Sequence, residues 1–298
     1  MTTDTPASDT RAIDTDAIDA LPPLRQIIGQ YGLAAKKSLG QNFLLDLNLT
    51  ARIARAGGLY DNTNLIEIGP GPGGLTRALL GTQAPHIYAV ERDDRCVAAL
   101  QGLVEAAKGR LTLVAEDALK IDYESLCPAP RAIAANLPYN IATVLLLGWL
   151  EQHALFESFT LMFQKEVAER LTAVPRTKDY GRLTVMTQWI AKVEKKFDLP
   201  PSAFTPAPKV TSSVVHIIPY KNRTDVVRFN TMERLTGAAF GQRRKMLRQS
   251  LKSLNVDETA LLDKAEISPT ARAEEIDITG FVRLAAVLQD MPPRITKD

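Results

Sequence analysis

The 298-residue sequence has little cysteine, little histidine and no long apolar run. Its two cysteines, Cys96 and Cys127, lie far apart, and neither they nor the three histidines show metal-ligand spacing. We therefore expect no metal. The most apolar run, residues 141–150, has about half the length that crosses a bilayer. No secretory leader is recognisable either, so we expect a cytoplasmic protein without a membrane span.

The formal net charge of +2 is unevenly distributed along the chain. Residues 1–20 contain five aspartates and one arginine, whereas residues 221–298 contain fourteen Lys or Arg and eleven Asp or Glu. The part of the chain after residue 20 is therefore mildly basic. That balance is compatible with binding to nucleic acid, but many other enzymes are equally basic.

The length of the chain and its patterning predict two domains. Residues 1–20 lack apolar periodicity and predict a disordered acidic leader. Residues 21–222 alternate short apolar runs with helical patterns, which predicts an α/β domain with a doubly wound parallel sheet. Residues 223–298 lose the strand pattern and predict a small, entirely helical C-terminal domain.

Individual elements follow from the same periodicities. Strands are predicted at 65–68, 86–90, 111–114, 132–135 and 159–163. Helices are predicted at 74–81, 93–107, 141–152, 165–173 and 182–189. Two further strands, at 190–197 and 213–218, have no helix between them and predict an antiparallel hairpin at the sheet edge. C-terminal helices are predicted at 230–240, 243–254, 257–264 and 278–289.

Residues 65–76, with the sequence LIEIGPGPGGLT, join an apolar strand to a glycine-rich turn and then to a helix. Glycines at the carboxyl end of a first strand let the backbone approach an adenosine-containing cofactor closely. The spacing of Gly69, Gly71 and Gly74 also matches the dinucleotide pattern. By this criterion alone, an NAD-dependent dehydrogenase is an alternative.

Acidic residues end or adjoin three successive predicted strands. Glu67 could orient the glycine loop or approach the cationic end of S-adenosylmethionine, and its charge would repel a pyrophosphate. Glu91 suits both ribose hydroxyls, which either cofactor carries. Asp117, which follows Glu116, could accept a hydrogen bond from an adenine amine. Exposed strand-end charge is the alternative for each acid alone, but together they predict a site for S-adenosylmethionine.

The fourth strand ends in Asn136-Leu137-Pro138-Tyr139, which suits methylation of an aromatic amine. The Asn136 side-chain oxygen and the Leu137 carbonyl, held by Pro138, could accept the two N–H groups of the amine. Its lone pair would then point at the methyl group, so catalysis is mainly alignment. Tyr139 offers a stacking face, worth about 1–3 kcal/mol per base. A proline turn with an asparagine helix cap is the alternative.

At this point the sequence resembles a known family, the dimethyladenosine transferases of small-subunit ribosomal RNA. The resemblance runs from Tyr31 to Leu288 and is specific, because eight blocks agree in order and spacing. The blocks are GQNFL (40–44), EIGPGPGGLT (67–76), NLPYNIAT (136–143), FQKEVAERL (163–171), YGRL (180–183), FTPAPKVTSSVV (204–215), FGQRRKMLRQSL (240–251) and RAEEI (272–276).

The resemblance implies a Rossmann-like seven-stranded methyltransferase domain and a role for each matching residue. Asn42 and Leu44 would close over S-adenosylmethionine, and Gly69 would lie against its methionine part. Glu91 would hold the ribose, Asp117 the adenine amine, and Asn136 would join cofactor and target. The flipped adenine would lie between Tyr139 and Phe204. For Phe204 the alternative is a loop aromatic packed on neighbouring prolines. Ala142 and Val144 stand where the family often has Ser and Pro, which puts the start of that helix in doubt.

A basic segment near the C-terminus is the predicted RNA-docking surface. Four cations, Arg243, Arg244, Lys245 and Arg248, would form an exposed stripe on one helix, anchored by apolar Met246, Leu247 and Leu251. A solvated basic face is the alternative. The resemblance favours phosphate contacts that position an RNA whose target base is flipped separately.

The resemblance implies dimethylation of the 6-amino groups of two adjacent adenines in the 3′-terminal hairpin of small-subunit RNA. The expected partner is the immature 30S particle, late in its assembly, and the protein is expected to be a monomer. Two alternatives remain open. One is a large-subunit adenine methyltransferase of the macrolide-resistance type, and the other is a non-catalytic assembly factor.

Overall fold

The protein is described from a computed structural model, over residues 15–33, 42–223 and 227–293. The chain divides into two compact units. The first unit consists of Met1–Pro138 and Pro201–Pro208. The second consists of Tyr139–Pro200 and Lys209–Asp298.

The first unit combines short helices with a parallel sheet. Its described helices are α1 (Asp16–Asp19), α2 (Leu24–Gln30), α3 (Leu47–Ala56), α4 (Gly74–Leu80), α5 (Asp94–Ala106) and α6 (Tyr123–Leu126). Its strands are β1 (Phe43–Leu44), β2 (Asn64–Ile68), β3 (Ile87–Glu91), β4 (Leu111–Ala115), β5 (Arg131–Ala135) and β8 (Phe204–Thr205).

Four parallel strands of this unit have the order β4-β3-β2-β5. β2, β3 and β5 are almost entirely buried, which is why they read as continuous apolar runs in the sequence. In the observed register, Ile68 pairs with Val90 on one side and with Ala135 on the other. The residues that follow these parallel strands therefore all lie at the carboxyl end of the sheet. Ligands bind at this end in such sheets.

The second unit is built from three strands and the C-terminal helices. Its strands are β6 (Ser158–Gln164), β7 (Ala191–Leu199) and β9 (Ser212–Pro219). Its described helices are α7 (Tyr139–Glu151), α8 (Lys165–Leu171), α9 (Arg182–Ile190), α10 (Phe229–Gly241), α11 (Leu247–Ser250), α12 (Glu258–Lys264) and α13 (Ile278–Gln289).

β9 is the middle strand of the second unit and pairs antiparallel with both β6 and β7. The β7–β9 pairing runs from Ala191↔Pro219 to Leu199↔Ser212, with a bulge between Lys195 and Phe197. The predicted hairpin is therefore confirmed.

The predicted α/β class, with seven main strands, is confirmed as well: four are parallel in the first unit and three antiparallel in the second.

Part of the predicted acidic leader is ordered. Asp16–Asp19 form α1, which packs against α5, and the Ile18 side chain is buried. The prediction of a disordered leader up to residue 20 is therefore wrong for this helix, because one apolar side chain finds a place in the core. The preceding residues 1–14 lie outside the described residues.

The predicted helix over residues 243–254 is also wrong in its first part. α10 ends at Gly241, and the chain turns before α11 begins at Leu247. Met246 makes an isolated antiparallel bridge with Arg272, and the Leu247 N–H donates to the Ala271 carbonyl at 2.8 Å. These backbone contacts, with residues distant in the sequence, take the place of helical hydrogen bonds.

The compact units do not follow the predicted boundary between residues 222 and 223. The C-terminal helices α10 and α13 pack on α9, which precedes that boundary. Trp189 of α9 stacks on Phe229 of α10, and the Tyr180 hydroxyl donates to the Ile276 carbonyl at 2.8 Å. Burial of large aromatic rings at this contact joins the C-terminal helices to the segment around α9.

Candidate active site

The glycine loop that follows β2 depends on backbone angles that favour glycine. Gly69, Gly71 and Gly73 have φ values of 69°, 57° and 90°. A Cβ on Gly71 would lie 3.1 Å from the Phe43 ring, whereas no atom of the described residues lies within 4 Å of a Cβ position on Gly69. Among these residues the loop is therefore closely packed at Gly71 and open beside Gly69. Sequence reasoning singled out Gly74 for its spacing but did not single out Gly73.

Gly74 is the first residue of α4 and lies close to the backbone of β1. A Cβ at this position would collide with the Leu44 carbonyl oxygen, so close helix packing requires glycine here. Leu44 itself is buried in β1. Its predicted contact with a cofactor stays a prediction.

Glu91 ties the end of β3 to the glycine loop. One carboxylate oxygen, Oε2, accepts the Gly71 N–H at 3.1 Å, and Oε1 accepts those of Arg92 and Asp93, each at 2.8 Å. Burial raises the pKa of Glu91, and the three backbone hydrogen bonds oppose that rise. Since a carboxylate offers about four acceptor sites, one remains toward a ligand. Holding both ribose hydroxyls would require Glu91 to give up one of its backbone contacts.

Glu67 is fully buried in β2, and burial, aided by the nearby charge of Glu91, raises its pKa to about 8. Its Oε2 atom has no hydrogen-bond partner within the described part of the chain. The carboxyl group is therefore mainly neutral at pH 7. This corrects one step of the sequence argument, because a neutral Glu67 would not repel a pyrophosphate. A cationic ligand group beside Glu67 would favour the charged form of its carboxyl group and lower this pKa.

Asp117 lies after β4 and caps a short 3₁₀ turn, Ala118–Lys120. Its Oδ1 atom accepts the Leu119 N–H at 3.1 Å, and its Oδ2 atom pairs with the Arg92 guanidinium at 3.3 Å. The Arg92 side chain is largely exposed, so this ion pair is easily exchanged for another partner. The predicted contact of Asp117 with an adenine amine stays a prediction.

Asn136 follows β5 and is joined to the segment before β1. Its side-chain Nδ2 donates to the Asn42 carbonyl at 3.0 Å. With the amide nitrogen in that bond, the side-chain oxygen points the other way and can accept, as methylation of an amine requires. Leu137 is buried, and Pro138 ends the first unit.

Phe204 lies in a two-stranded ladder that sequence reasoning did not anticipate. β8 pairs antiparallel with β1, and Leu44 stands opposite Phe204. The Phe204 ring is only 4% exposed. A base could stack on it only if the ring became accessible, so its stacking role stays a prediction, and packing in the core is the competing role.

Tyr139 is the first residue of the second unit and the first of α7. Its hydroxyl lies 2.6 Å from the Ser212 hydroxyl, which is buried at the start of β9. Ser212 was not among the residues singled out from the sequence. It lies in the block FTPAPKVTSSVV, but nothing in that pattern indicates its contact with Tyr139.

The basic segment does not form a helical stripe. Arg243, Arg244 and Lys245 lie in the turn between α10 and α11, and Arg248 lies in α11. Met246, predicted as an anchor, is 38% exposed, whereas Leu247 and Leu251 are buried as predicted.

The Arg243 side chain has hydrogen-bond and ion-pair partners within the described residues. Its guanidinium donates to the Thr177 carbonyl at 3.0 Å and forms an ion pair with Glu274 at 3.4 Å. Arg244, Lys245 and Arg248 are exposed. Arg243 therefore contributes to the fold, and the other three cations are better placed for phosphate.

Metal sites and membrane-spanning helices are both absent from the described ranges. No three His, Cys, Asp or Glu side chains are grouped closely enough there to hold a metal ion. No helix in the same ranges has the length and apolar character needed to cross a membrane.

The parallel sheet, the glycine loop after its first strand and the strand-end acids are those of a Rossmann-like α/β protein. A family model described as ribosomal RNA adenine dimethylase matches residues 32–290. The chain therefore belongs to the ribosomal RNA adenine dimethylase family.

Close relatives carry a consistent name. A Rhodospirillum rubrum protein named ribosomal RNA small subunit methyltransferase A is 58% identical over 267 residues, covering 90% of this chain and 92% of the relative. An Azorhizobium caulinodans protein with the same name is 57% identical, covering 90% of this chain and 94% of the relative. The predicted family and enzyme class are thereby confirmed.

Solved structures show the same fold. A dimethyladenosine transferase from Plasmodium falciparum matches with a TM-score of 0.71 and 26% identity, over 81% of this chain and 95% of that one. The 23S rRNA methyltransferase ErmE matches with a TM-score of 0.61 and 27% identity, over 84% of this chain and 100% of that one. The predicted Rossmann-like methyltransferase fold is thereby confirmed.

Proposed function

We propose that this protein uses S-adenosylmethionine to dimethylate the 6-amino groups of two adjacent adenines in the 3′-terminal hairpin loop of small-subunit ribosomal RNA. The family match and the names of relatives more than 50% identical support adenine dimethylation of small-subunit RNA. The single observation that carries the chemistry is the orientation of the Asn136 amide, whose nitrogen is committed to Asn42.

The residues of the first unit fit an adenosine-containing methyl donor. Within the described residues, space is open beside Gly69, and the Glu91 carboxylate, which accepts the Gly71 N–H, retains one further acceptor site. The Oε2 atom of Glu67 has no hydrogen-bond partner among the described residues, and the ammonium group of a methionine moiety beside it would favour ionisation of this carboxyl group. When bound, S-adenosylmethionine supplies a methyl group on a sulfonium, which is an excellent leaving group.

The chain's own contribution to the reaction is to orient the amine. The Asn136 side-chain oxygen and the Leu137 carbonyl accept its two N–H bonds, which draws the nitrogen out of conjugation with the ring. Tyr139 supports the face of the base. Each transfer also releases one proton from the amine, so one N–H remains after the first transfer, and the same acceptors can orient it for the second. No metal and no strong base is needed for this alignment.

A methyltransferase acting on large-subunit RNA is the second candidate, since the ErmE structure is also similar. A non-catalytic assembly factor is the third. The names of relatives that are 57–58% identical favour the small subunit. We also infer that the protein acts as a monomer, in the cytoplasm, on the immature 30S particle late in its assembly.

The test is methyl transfer to purified small subunits and, separately, to large subunits that lack the modification. We expect dimethyladenine in small-subunit RNA, with monomethyladenine as an intermediate. Transfer to large subunits alone would support the second candidate. Binding to the small subunit without any transfer would support the third.

A further inference from the structure

The bond between Tyr139 and Ser212 is a short contact between two hydroxyl groups 73 residues apart. The two oxygens are 2.6 Å apart, a typical distance for an O–H···O hydrogen bond. Both residues belong to the second unit. The contact joins the first residue of α7 to the first residue of β9.

Ser212 is a rigid anchor because its backbone is paired on both sides. In the β9 register it stands opposite Gln164 of β6 and opposite Leu199 of β7. The preceding Thr211 carbonyl accepts the Lys165 N–H at 2.9 Å, which fixes the chain just before the strand. The Ser212 side chain is fully buried, so little besides one torsion angle can move its hydroxyl.

Tyr139, by contrast, is only partly buried, and the bond fixes the far end of its ring. Burial raises the pKa of its hydroxyl, while the bond to Ser212 opposes that rise, so the phenol stays protonated at neutral pH. Its backbone belongs to the first residue of α7. The ring is therefore held at both ends, by backbone at Cα and by Ser212 at the hydroxyl.

We propose that Ser212 is a positioning residue, which holds the Tyr139 ring in the plane on which the target adenine stacks. This rests on the proposed function, in which Tyr139 supports the base. A ring that is already ordered loses no rotational freedom when the base arrives, so a larger fraction of the bound complex is aligned for transfer. Loss of the Ser212 hydroxyl should therefore lower kcat measured at saturating RNA. Docking of the particle should not change, because it does not require this ring.

A double-mutant cycle tests the proposal. Tyr139→Phe and Ser212→Ala each remove one hydroxyl and leave the ring in place. On unmethylated small subunits with saturating methyl donor, we expect each variant to lower kcat by about threefold to tenfold, as for one hydrogen bond. The double variant should be no slower than the slower single variant, because both changes remove the same bond.

Ser213→Ala is the matched control. Ser213 is the next residue of β9, and its hydroxyl donates to the Asp198 carboxylate at 2.7 Å. Since successive side chains of a strand point to opposite faces, this variant loses a similar bond away from Tyr139. It should retain the wild-type kcat. Thermal unfolding of all the variants shows whether the fold is intact.

A spectroscopic readout separates positioning from general stability. In a hairpin RNA with 2-aminopurine at a target adenine, stacking on Tyr139 should quench the fluorescence of the flipped base. Ser212→Ala should quench less than the wild type, and Ser213→Ala should match the wild type. Titration calorimetry should show unchanged affinity for S-adenosylmethionine in all three proteins.

Two results would overturn the proposal: multiplicative effects of Tyr139→Phe and Ser212→Ala, or equal kcat and equal quenching for Ser212→Ala and Ser213→Ala. In either case the wild type would still methylate small subunits, and the proposed function would stand. A wild type that transfers no methyl group to small subunits would instead refute the proposed function, and the Ser212 proposal would fall with it.

Discussion

The two units hold their site residues by different means. In the first unit, Gly69, Glu91 and Asn136 come directly at or after the ends of parallel strands, and backbone groups make their contacts. In the second unit, Tyr139 is fixed by the Ser212 side chain, which is distant in the sequence. The first arrangement can be predicted from the order of strands. The second depends on how strands and helices pack.

The two predicted stacking residues show the same contrast. Phe204, in the first unit, is buried by the β1–β8 pairing, whereas Tyr139, in the second, is partly exposed. A buried ring contributes to stability whether or not it meets a base. The two aromatics therefore need different experiments.

The largest expected effect is that of replacing Phe204. Phe204→Ala should lower the free energy of unfolding by about 3–5 kcal/mol, since it removes a buried ring. It should also lower methyl transfer. Phe204→Leu keeps most of the apolar volume without an aromatic face, so it separates the two roles. Stability is measured by urea unfolding, and transfer with saturating RNA. Wild-type transfer by Phe204→Leu would show that the ring only packs.

Asn136→Ala should reduce kcat by about 10²–10³-fold, the range found on removing one group that stabilises a transition state. Asn64→Ala is the control, because the Asn64 side chain donates a similar bond, at 2.9 Å, to the Pro128 carbonyl before β5 begins. Single-turnover kinetics on small subunits measures both. If the two variants slow transfer equally, Asn136 acts only through the fold.

Glu91→Ala should weaken S-adenosylmethionine binding by about 1.5–3 kcal/mol, the range for hydrogen bonds to a charged group. The exposed Glu105 of α5 provides the control variant Glu105→Ala. Calorimetric titration compares the two, and NAD should not bind to either. Unchanged donor affinity in Glu91→Ala, or measurable affinity of the wild type for NAD, would contradict the cofactor assignment.

Glu67 makes stability depend on pH in a defined direction. Its pKa is raised from 4.5 to about 8 in the folded protein, so the folded state favours the protonated form. The resulting stabilisation is complete below pH 4.5 and is lost as the pH rises to about 8. Glu67→Gln keeps a neutral side chain and should lose less stability across this range. Urea unfolding as a function of pH tests this, and parallel profiles would contradict it.

The smallest effects are expected in the basic segment. Arg244→Ala, Lys245→Ala and Arg248→Ala should each lower the slope of log affinity against log salt by about 0.7 per lost contact with single-stranded RNA. Their thermal stability should not change. Arg243→Ala should in addition lower stability, because it breaks the contacts with Thr177 and Glu274. Salt slopes equal to that of the wild type in all four variants would place docking elsewhere.

The sequence by itself determined the class of fold, the succession of the main strands along the chain and the position of the glycine loop. Continuous apolar runs indicate strands buried on both faces, and strands connected by helices run parallel. The positions of Glu91 and Asn136 at the carboxyl ends of strands could therefore be predicted. The eight motif blocks determined the family. These features are local, or follow from connection rules that apply to every chain.

Tertiary structure alone decided the contacts between segments distant along the chain. The Phe204 ladder with β1, the Ser212 anchor of Tyr139 and the bridge of Met246 with Arg272 each pair residues that no periodicity connects. The neutral state of Glu67 likewise results from complete burial beside Glu91, which a sequence does not display. Periodicity tells which face of an element is buried, but the partner across that face depends on how the whole chain packs.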